Sequence, residues 1–190
     1  MQKSTLAALI LLIALSSAST WSQSAPPPAS AIDITSADIQ TVLKYVGKDG
    51  GGIDRQMKVV DLGKYNVAVG ILHRSATKDT GSVTALAHAQ VTEVYYVVSG
   101  SGMLVTGGTI LQPKSFPADG DLVKVLVGPT ITGVVQGGHR RPVSTGDIVI
   151  IPAGVPHGFA EIADHVTYLS IRPDIDHLLP AGYVHPALRK

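Results

Sequence analysis

The feature that most constrains the fold is a series of short β-branched runs that begins at Gln56. Eight runs follow one another, each bounded by Gly, Pro, Asp or Ser: MKVVDL, NVAVGILH, EVYYVVSG, GMLVTG, DLVKVLVG, ITGVVQ, DIVIIP and VTYLSI. β-Branched residues favour strands, and the residues between the runs favour turns. So many short strands in a chain of 190 residues predict a single all-β sandwich or barrel.

Composition and charge narrow the classes of function. The chain has 20 Gly and 12 Pro, and only 15% of its residues are charged, which is typical of strands and turns rather than of a helical bundle. Its 15 Lys and Arg balance 14 Asp and Glu without forming a basic cluster, so we expect no nucleic-acid partner. The chain has no cysteine, which excludes disulfides and thiolate chemistry.

The N-terminal residues have the pattern of a signal peptide. Lys3 is followed by ten consecutive apolar residues from Leu6 to Leu15, and small residues come next. Ten residues are too few to span a bilayer. We therefore expect residues 1–24 to be a signal peptide that is cleaved after Ser24, leaving a periplasmic or secreted protein with no membrane association. Cleavage nearer Ser19 and an uncleaved N-terminal anchor are the alternatives.

The chain divides into three further segments. Residues 25–50 contain the Pro-rich stretch APPPAS and one predicted helix, capped by Ser36 and ended by Gly47, whose apolar residues recur at helical spacing: Ile39, Val42, Leu43 and Val46. Residues 51–173 contain the predicted barrel, in which GGTILQPKSFPADG, residues 107–120, reads as a loop. Residues 174–190 are expected to form a C-terminal arm.

Two spaced motifs carry the functional signal. In the first, Glu93 is followed by six residues and then Gly100, and His88 precedes Glu93 with four residues between them. In the second, Gly146 is followed by five residues and then by Pro152-Ala153-Gly154, two more residues and His157.

These motifs resemble the two sequence motifs of the cupin superfamily, which are His-x-His…Glu…Gly and Gly…Pro-x-Gly…His…Asn. The second motif matches at every position except the last, where Glu161 replaces Asn. In the first, a four-residue spacing places His88 on the second histidine and Leu86 on the first. A three-residue spacing would place Ala87 and Ala89 there, and we prefer the spacing that retains a histidine.

The resemblance implies a cupin-type β-barrel, a double-stranded β-helix or jelly roll, in which His88, Glu93 and His157 converge. Two imidazoles and one carboxylate bind Fe(II), and Mn, Ni, Cu and Zn accept similar ligands. Three protein ligands leave coordination positions for water, substrate or dioxygen. Gln90 is an alternative fourth ligand through its amide oxygen. The competing interpretation makes His88 and His157 histidines bonded to the backbone, and Glu93 a structural carboxylate.

Two more residues are candidates for catalysis. Glu161 can serve as an acid/base group in the pocket, although a strand glutamate is more often solvated or salt-bridged. Tyr95 can place its hydroxyl near the metal, although core packing is the more common role for such a tyrosine.

The leading hypothesis is an exported single-domain cupin whose divalent metal ion acts on a small organic molecule. Cupins of this kind include dioxygenases, decarboxylases, isomerases and lyases, and the donor set favours a dioxygenase-type activity. The alternative is a non-catalytic module that binds a small ligand, as the missing histidine at Leu86 and the Glu161 change suggest. We also expect a homodimer whose interface uses the apolar residues of the helix and of the C-terminal arm, including Leu178 and Leu179.

Overall fold

The computed structural model of the protein describes residue 26, residues 28–47 and residues 53–189. The predicted signal peptide, residues 1–24, lies outside the described residues. Within them, no helix is both long enough and apolar enough to cross a membrane.

The described part of the chain is built mainly from antiparallel strands. One α-helix, α1 (Ser36–Leu43), precedes the strands, a six-residue π-helix (Leu122–Val127) interrupts them, and a 3-10 turn (Pro186–Leu188) follows them. The strands are β1 (Asp54–Asp61), β2 (Asn66–Thr77), β3 (Val83–His88), β4 (Glu93–Thr106), β5 (Thr109–Ser115), β6 (Thr130–Gln136), β7 (His139–Ser144), β8 (Ile148–Ile151) and β9 (His157–Asp174).

Two long strands, β4 and β9, hold the barrel together. The strand order is β1-β2-β9-β3-β6-β5, and β4 pairs with β7, β8 and β9. The pairing between β4 and β9 shifts register near Gly100 and Met103, so both strands bend there. The first half of β4 pairs with β8, and the second half pairs with β7. This topology confirms the predicted all-β, cupin-type barrel.

The interior of the barrel is filled by alternate residues of the strands. The largest cluster of buried apolar side chains includes Tyr95 and Val97 of β4, Val149 of β8 and Tyr168 of β9. Because strand side chains alternate between two faces, the same alternation that fills the core also points Glu93 inward, two residues before Tyr95.

The helix and the C-terminal arm pack on the outside of the barrel. Val42 of α1 is fully buried against Met57 of β1 and Ile71 of β2. Leu179 of the arm is buried against Val59 and Ala68. The apolar residues expected to form a dimer interface are therefore packed largely within the chain itself.

The predicted cap of the helix was one residue late. Thr35, rather than Ser36, is the N-cap: its hydroxyl accepts a hydrogen bond from the Asp38 amide, and the Asp38 carboxylate accepts one from the Thr35 amide. This reciprocal capping box satisfies amides that the first turn leaves without helical partners.

The run DLVKVLVG was predicted to be a strand, and this was wrong. Its residues Leu122 to Val127 form the π-helix. Leu122, Leu126 and Val127 face a cavity at the barrel mouth, and the spacing between the two leucines suits one face of a helix. A short apolar run does not distinguish a strand from a buried helical segment, so the pattern alone was ambiguous.

The prediction of a loop over residues 107–120 was also wrong in part. Thr109–Ser115 forms strand β5, whose only neighbour in the strand order is β6. Pro113 is tolerated there because the pairing of β5 with β6 has a bulge between Leu111 and Lys114. Gln112, within this bulge, has a φ of 45°. Prolines in strands occur at edges and bulges, which explains why the Pro-rich composition was misleading.

A pair of motif glycines allows the packing at the β4 bend to be tested. Gly100 and Gly146 both have positive φ, but a Cβ at Gly100 would lie 2.0 Å from the His165 carbonyl oxygen, whereas a Cβ at Gly146 would meet nothing within 4 Å. Alanine should cost about 1–3 kcal/mol at either position through backbone strain. Gly100→Ala should cost roughly 1–3 kcal/mol more, because β9 must move.

Chemical denaturation of Gly100→Ala and Gly146→Ala against wild type measures these losses. Equal losses of unfolding free energy in the two variants would contradict the close approach of β4 to β9.

Candidate metal centre

The three side chains predicted as metal ligands meet at one end of the barrel. His88 is the last residue of β3, Glu93 the first of β4, and His157 the first of β9. Their exposed fractions are 3%, 2% and 5%, so all three are removed from bulk water. The Nε2 atoms of His88 and His157 lie 3.2 and 3.1 Å from the same oxygen, Oε2 of Glu93.

Backbone contacts bring the two motif regions together. Leu86 of β3 lies opposite His157 of β9 in the strand register. The turn that precedes β9 closes on β3, where the Gly154 amide donates a 2.7 Å hydrogen bond to the His88 carbonyl. The Pro152-Ala153-Gly154 turn of the second motif therefore holds the end of β3, which carries His88 of the first motif.

The hydrogen bonds of the Nδ1 atoms of His88 and His157 determine which ring nitrogen is protonated and which presents a lone pair to Glu93. The Thr130 hydroxyl donates to the Gly128 carbonyl, so it can only accept from Nδ1 of His88, at 2.8 Å. Nδ1 of His157 lies 3.0 Å from the Val155 carbonyl oxygen, which also can only accept. In their neutral forms, both imidazoles carry the proton on Nδ1 and present the Nε2 lone pair to Glu93.

Two Nε2 lone pairs and Oε2 of Glu93 therefore converge, and a cation between them would satisfy all three atoms. A proton on one imidazole can serve, but burial lowers the pKa of His88 despite the opposing effect of Glu93, which disfavours that form. A metal ion satisfies all three atoms at once. Two ligand atoms each about 2.1 Å from an ion lie about 3.0 Å apart at a right angle, close to the observed separations. The three residues form a group that can hold a metal.

The Glu93 carboxylate divides its two oxygens between different partners. Oε1 accepts hydrogen bonds from the Ser170 hydroxyl at 2.6 Å and from Nε of Arg172 at 3.0 Å. Oε2 accepts from the Tyr95 hydroxyl at 2.9 Å and faces the two imidazoles. Burial by itself would raise the pKa of Glu93, but hydrogen bonds that His157 and His88 donate to Oε2 when their Nε2 atoms carry a proton, together with the Arg172 charge, hold it well below its usual range.

Arg172 is the centre of a buried polar network below the triad. Its guanidinium is fully buried, donates to Oε1 of Gln56 at 3.0 Å, and forms ion pairs with both Asp54 and Glu93. The network gives Glu93 a fixed counter-charge and a fixed orientation, so its second oxygen remains available at the triad.

A small cavity opens in front of the triad. Its volume is about 130 Å³, well below the roughly 300–1,000 Å³ of pockets that hold drug-sized ligands. The polar groups that line it come from six residues: Asp54, Arg74, His88, Glu93, Tyr95 and His157. The remaining wall is apolar, and Leu86, at the position of the missing histidine, belongs to it.

The other predicted site residues lie in different places. Tyr95 lines the cavity and bonds to Glu93, where burial raises its pKa well above the usual range and keeps the hydroxyl protonated. The exposed Gln90 amide donates instead to Asp176 at 3.2 Å. Glu161 is exposed and does not line this cavity. The structure therefore does not bring Gln90 or Glu161 to the triad, because both side chains point to the outside of the barrel.

Sequence reasoning missed the residues that orient the ligands: Thr130, Ser170 and Arg172. The run Leu169-Ser170-Ile171-Arg172 contained a usable signal, because Ser170 and Arg172 alternate with aliphatic residues and so share one face of a strand. An arginine on an inward face requires a buried counter-charge, and the motif glutamate was the obvious candidate.

Comparison with known proteins gives likeness at the level of the fold. No protein-family model and no curated protein sequence matches the chain. Among solved structures, BH2720 from Bacillus halodurans is similar with 16% identity and a TM-score of 0.45, covering 85% of this chain and 93% of that one. The Clostridium difficile EutQ protein is similar with 14% identity, a TM-score of 0.36 and 76% of each chain covered. KdgF from Halomonas has 14% identity and a TM-score of 0.37, covering 67% of this chain and 85% of its own.

Because those TM-scores are below 0.5, the classification depends on the chain's own features. The antiparallel barrel carries both motifs on adjoining strand ends, with the histidines and the glutamate facing inward. These features give the chain the fold of a cupin-type β-barrel, as the resemblance of its two motifs predicted.

Replacing Arg172 tests the network that holds the site. Arg172→Met should destabilise the metal-free protein at neutral pH by about 3–5 kcal/mol, because two carboxylates lose their buried counter-charge. The lowered pKa of Glu93 stabilises the fold above the ordinary carboxyl range, and this contribution disappears as the pH falls through the lowered value. The difference between variant and wild type should therefore shrink below about pH 4.

Denaturation at several pH values measures this, with Arg140→Met as the matched control. Arg140 forms an exposed ion pair with Asp79, so its loss should cost under about 1 kcal/mol at every pH. If Arg172→Met lost the same free energy of unfolding at every pH, the residue would contribute packing rather than charge.

Proposed function

We propose that the protein is a cupin-type metalloprotein in which His88, Glu93 and His157 hold one divalent ion and the cavity accepts a small organic molecule. The observation that carries the proposal is the convergence of two Nε2 lone pairs on Oε2 of Glu93, with both Nδ1 atoms committed to other acceptors. Buried atoms of that kind are satisfied by a cation, and the spacing suits a metal ion.

The donor set restricts the metal and its chemistry. Two imidazoles and one carboxylate suit Fe(II), Mn, Ni, Cu and Zn, which bind mixed nitrogen and oxygen ligands. When bound, such an ion supplies Lewis-acid activation and coordination positions that the protein does not fill. The chain's own contribution is orientation: Thr130 and Val155 fix the imidazoles, and Tyr95 holds Oε2 of Glu93.

The reaction class that this set favours is dioxygenase-type, because three ligands leave room for both dioxygen and a substrate. The second candidate is a binding module without turnover. Leu86 favours this second candidate, because it replaces a possible fourth ligand with an apolar side chain at the cavity. Oxygen uptake and loss of candidate substrate, measured with metal-loaded and metal-depleted protein, distinguish the two.

Metal content is the direct test of the proposal. Protein purified without chelator should contain about one divalent ion per chain, and His88→Ala, Glu93→Gln and His157→Ala should each lower the affinity by at least about tenfold. His73→Ala is the control, because its ring also bonds to a threonine hydroxyl, Thr167, but does not belong to the triad. Elemental analysis and calorimetric titration give the stoichiometry and the affinity.

Two further variants make the experiment sharper. Leu86→His should raise the affinity, because position 86 lies opposite His157 in the register and lines the same cavity. Gln90→Ala should change nothing, because its side chain bonds to Asp176 on the surface. A wild-type protein that takes up no divalent ion, or a His157→Ala variant that binds like wild type, would end the metal proposal.

We also propose that the chain is exported and forms a homodimer. Export is supported by Lys3 and the apolar run from Leu6 to Leu15. Dimerisation is supported by β8, which among the described strands pairs only with β4, and whose Ile148 and Ile150 are 67% and 68% exposed. Mass spectrometry of the N-terminus in the producing cell tests export, with an intact Met1 contradicting it. Light scattering tests the dimer, which Ile150→Lys should weaken and a monomeric wild type would exclude.

A further inference from the structure

A further charged side chain, that of Arg74, borders the cavity and has no role in the proposed metal site. Arg74 lies on β2, two residues after Leu72, and both side chains line the cavity in front of the triad. It is partly buried, in contrast to the fully buried Arg172. A partly buried arginine that borders a small, mostly apolar cavity requires a reason, because its charge loses part of its hydration.

The Arg74 side chain is held firmly, but by neutral groups. Its Nε donates a 3.0 Å hydrogen bond to the Tyr168 hydroxyl, and its guanidinium carbon lies 5.4 Å from the centre of the Phe159 ring. Within residues 53–189, no ion pair involves Arg74, since Asp54 and Glu93 pair with Arg172 instead. The terminal guanidinium nitrogens are therefore positioned without a carboxylate partner.

The charges around the cavity favour an anionic ligand. Two guanidiniums, Arg74 and Arg172, face two carboxylates, Asp54 and Glu93, so the protein groups balance. Arg172 pairs with Oε1 of Glu93 and with Oδ2 of Asp54, while Oδ1 of Asp54 has no hydrogen-bond partner among the described residues. Any cation bound by the triad would therefore add uncompensated positive charge, and Arg74 is the cation of the wall with donors to spare.

We propose that Arg74 is the anion-recognition group of this cavity and that its ligand is a small monocarboxylic acid with an apolar body. A carboxylate matches the planar fork of a guanidinium and can accept two parallel hydrogen bonds. The apolar body fits the wall formed by Ile53, Leu86, Leu122 and Leu126. This inference rests on the cavity of the proposed function and names the class of molecule that the cavity accepts.

Phosphate fits the same cavity less well. A phosphate dianion needs several donors, whereas the lining offers one guanidinium, and its two carboxylates repel a dianion more strongly than they repel a monoanion. The volume of about 130 Å³ also excludes large acids. A compact monoanion is therefore the better match in both charge and size.

Binding of propanoate to metal-depleted protein tests the inference without depending on metal or on activity. Ligand-observed NMR or calorimetry should detect propanoate, while propanamide, which has the same shape without the charge, should bind roughly tenfold to hundredfold more weakly. Inorganic phosphate should not displace propanoate at equal concentration. Equal binding of propanoate and propanamide would overturn the inference, and displacement by phosphate would overturn the choice of a carboxylate.

Variants then locate the recognition group. Arg74→Met, which keeps most of the aliphatic stem, should lose at least about tenfold in propanoate affinity, and Arg74→Lys should fall in between because it cannot present a planar fork. Leu126→Trp should block binding by filling the cavity while leaving Arg74 in place. Arg140→Met, which removes an exposed arginine paired with Asp79, is the control and should bind like wild type.

The two proposals fail in different ways. If the wild type takes up no metal but binds propanoate through Arg74, the metal proposal fails and this inference stands. If metal is bound at the triad but Arg74→Met binds propanoate as wild type does, the metal proposal stands and Arg74 has no role in recognition.

Discussion

The ion pair between Arg172 and Glu93 is the interaction on which the rest of the site depends. A carboxylate with 2% exposure inside a barrel would ordinarily take up a proton, because desolvation disfavours its charged form. Arg172 lies wholly inside the same core and supplies the opposing charge at 3.0 Å. Because β9 carries both Arg172 and His157, the strand that supplies a ligand also supplies the charge that keeps another ligand ionised.

The same ion pair also bears on which cation the proposed metal site would prefer. Oε1 of Glu93 is fully engaged by Ser170 and Arg172, so only Oε2 can approach a metal, and the carboxylate is restricted to one donor atom. Arg172 draws electron density from the carboxylate of Glu93 and so makes Oε2 a weaker base. A larger share of any metal binding would then come from the two imidazoles. At the proposed metal site this balance would favour the metals that bind nitrogen well over Mg²⁺ and Ca²⁺, which prefer a shell of oxygens.

The sequence was informative where a residue's role depends on its immediate neighbours. Turn glycines and the spacing around Pro152 located two motif regions, and with them His88, Glu93 and His157, because those positions are tied to strand ends. It was uninformative where a role depends on residues far apart in the chain. Arg172 acts on Glu93 across 79 positions, and Gln56 holds the π-helix through the Val125 carbonyl across 69. Gln90 was misplaced for the same reason: closeness to His88 in sequence does not determine on which side of the barrel a loop residue lies.

The departure of this chain from the cupin motif at position 86 has two consequences that belong together. A histidine there would add a ligand on the strand opposite His157, whereas Leu86 adds an apolar wall to the cavity. A metal ion at the proposed site would have one fewer protein donor than the cupin motif supplies, and the wall beside it is apolar at position 86. Electrostatic contacts strengthen when water is excluded, so a lone guanidinium such as Arg74 gains influence over any ligand that enters. If both proposals hold, Leu86 leaves the ion with three protein ligands, and the ion and Arg74 would then share the recognition of a small acid.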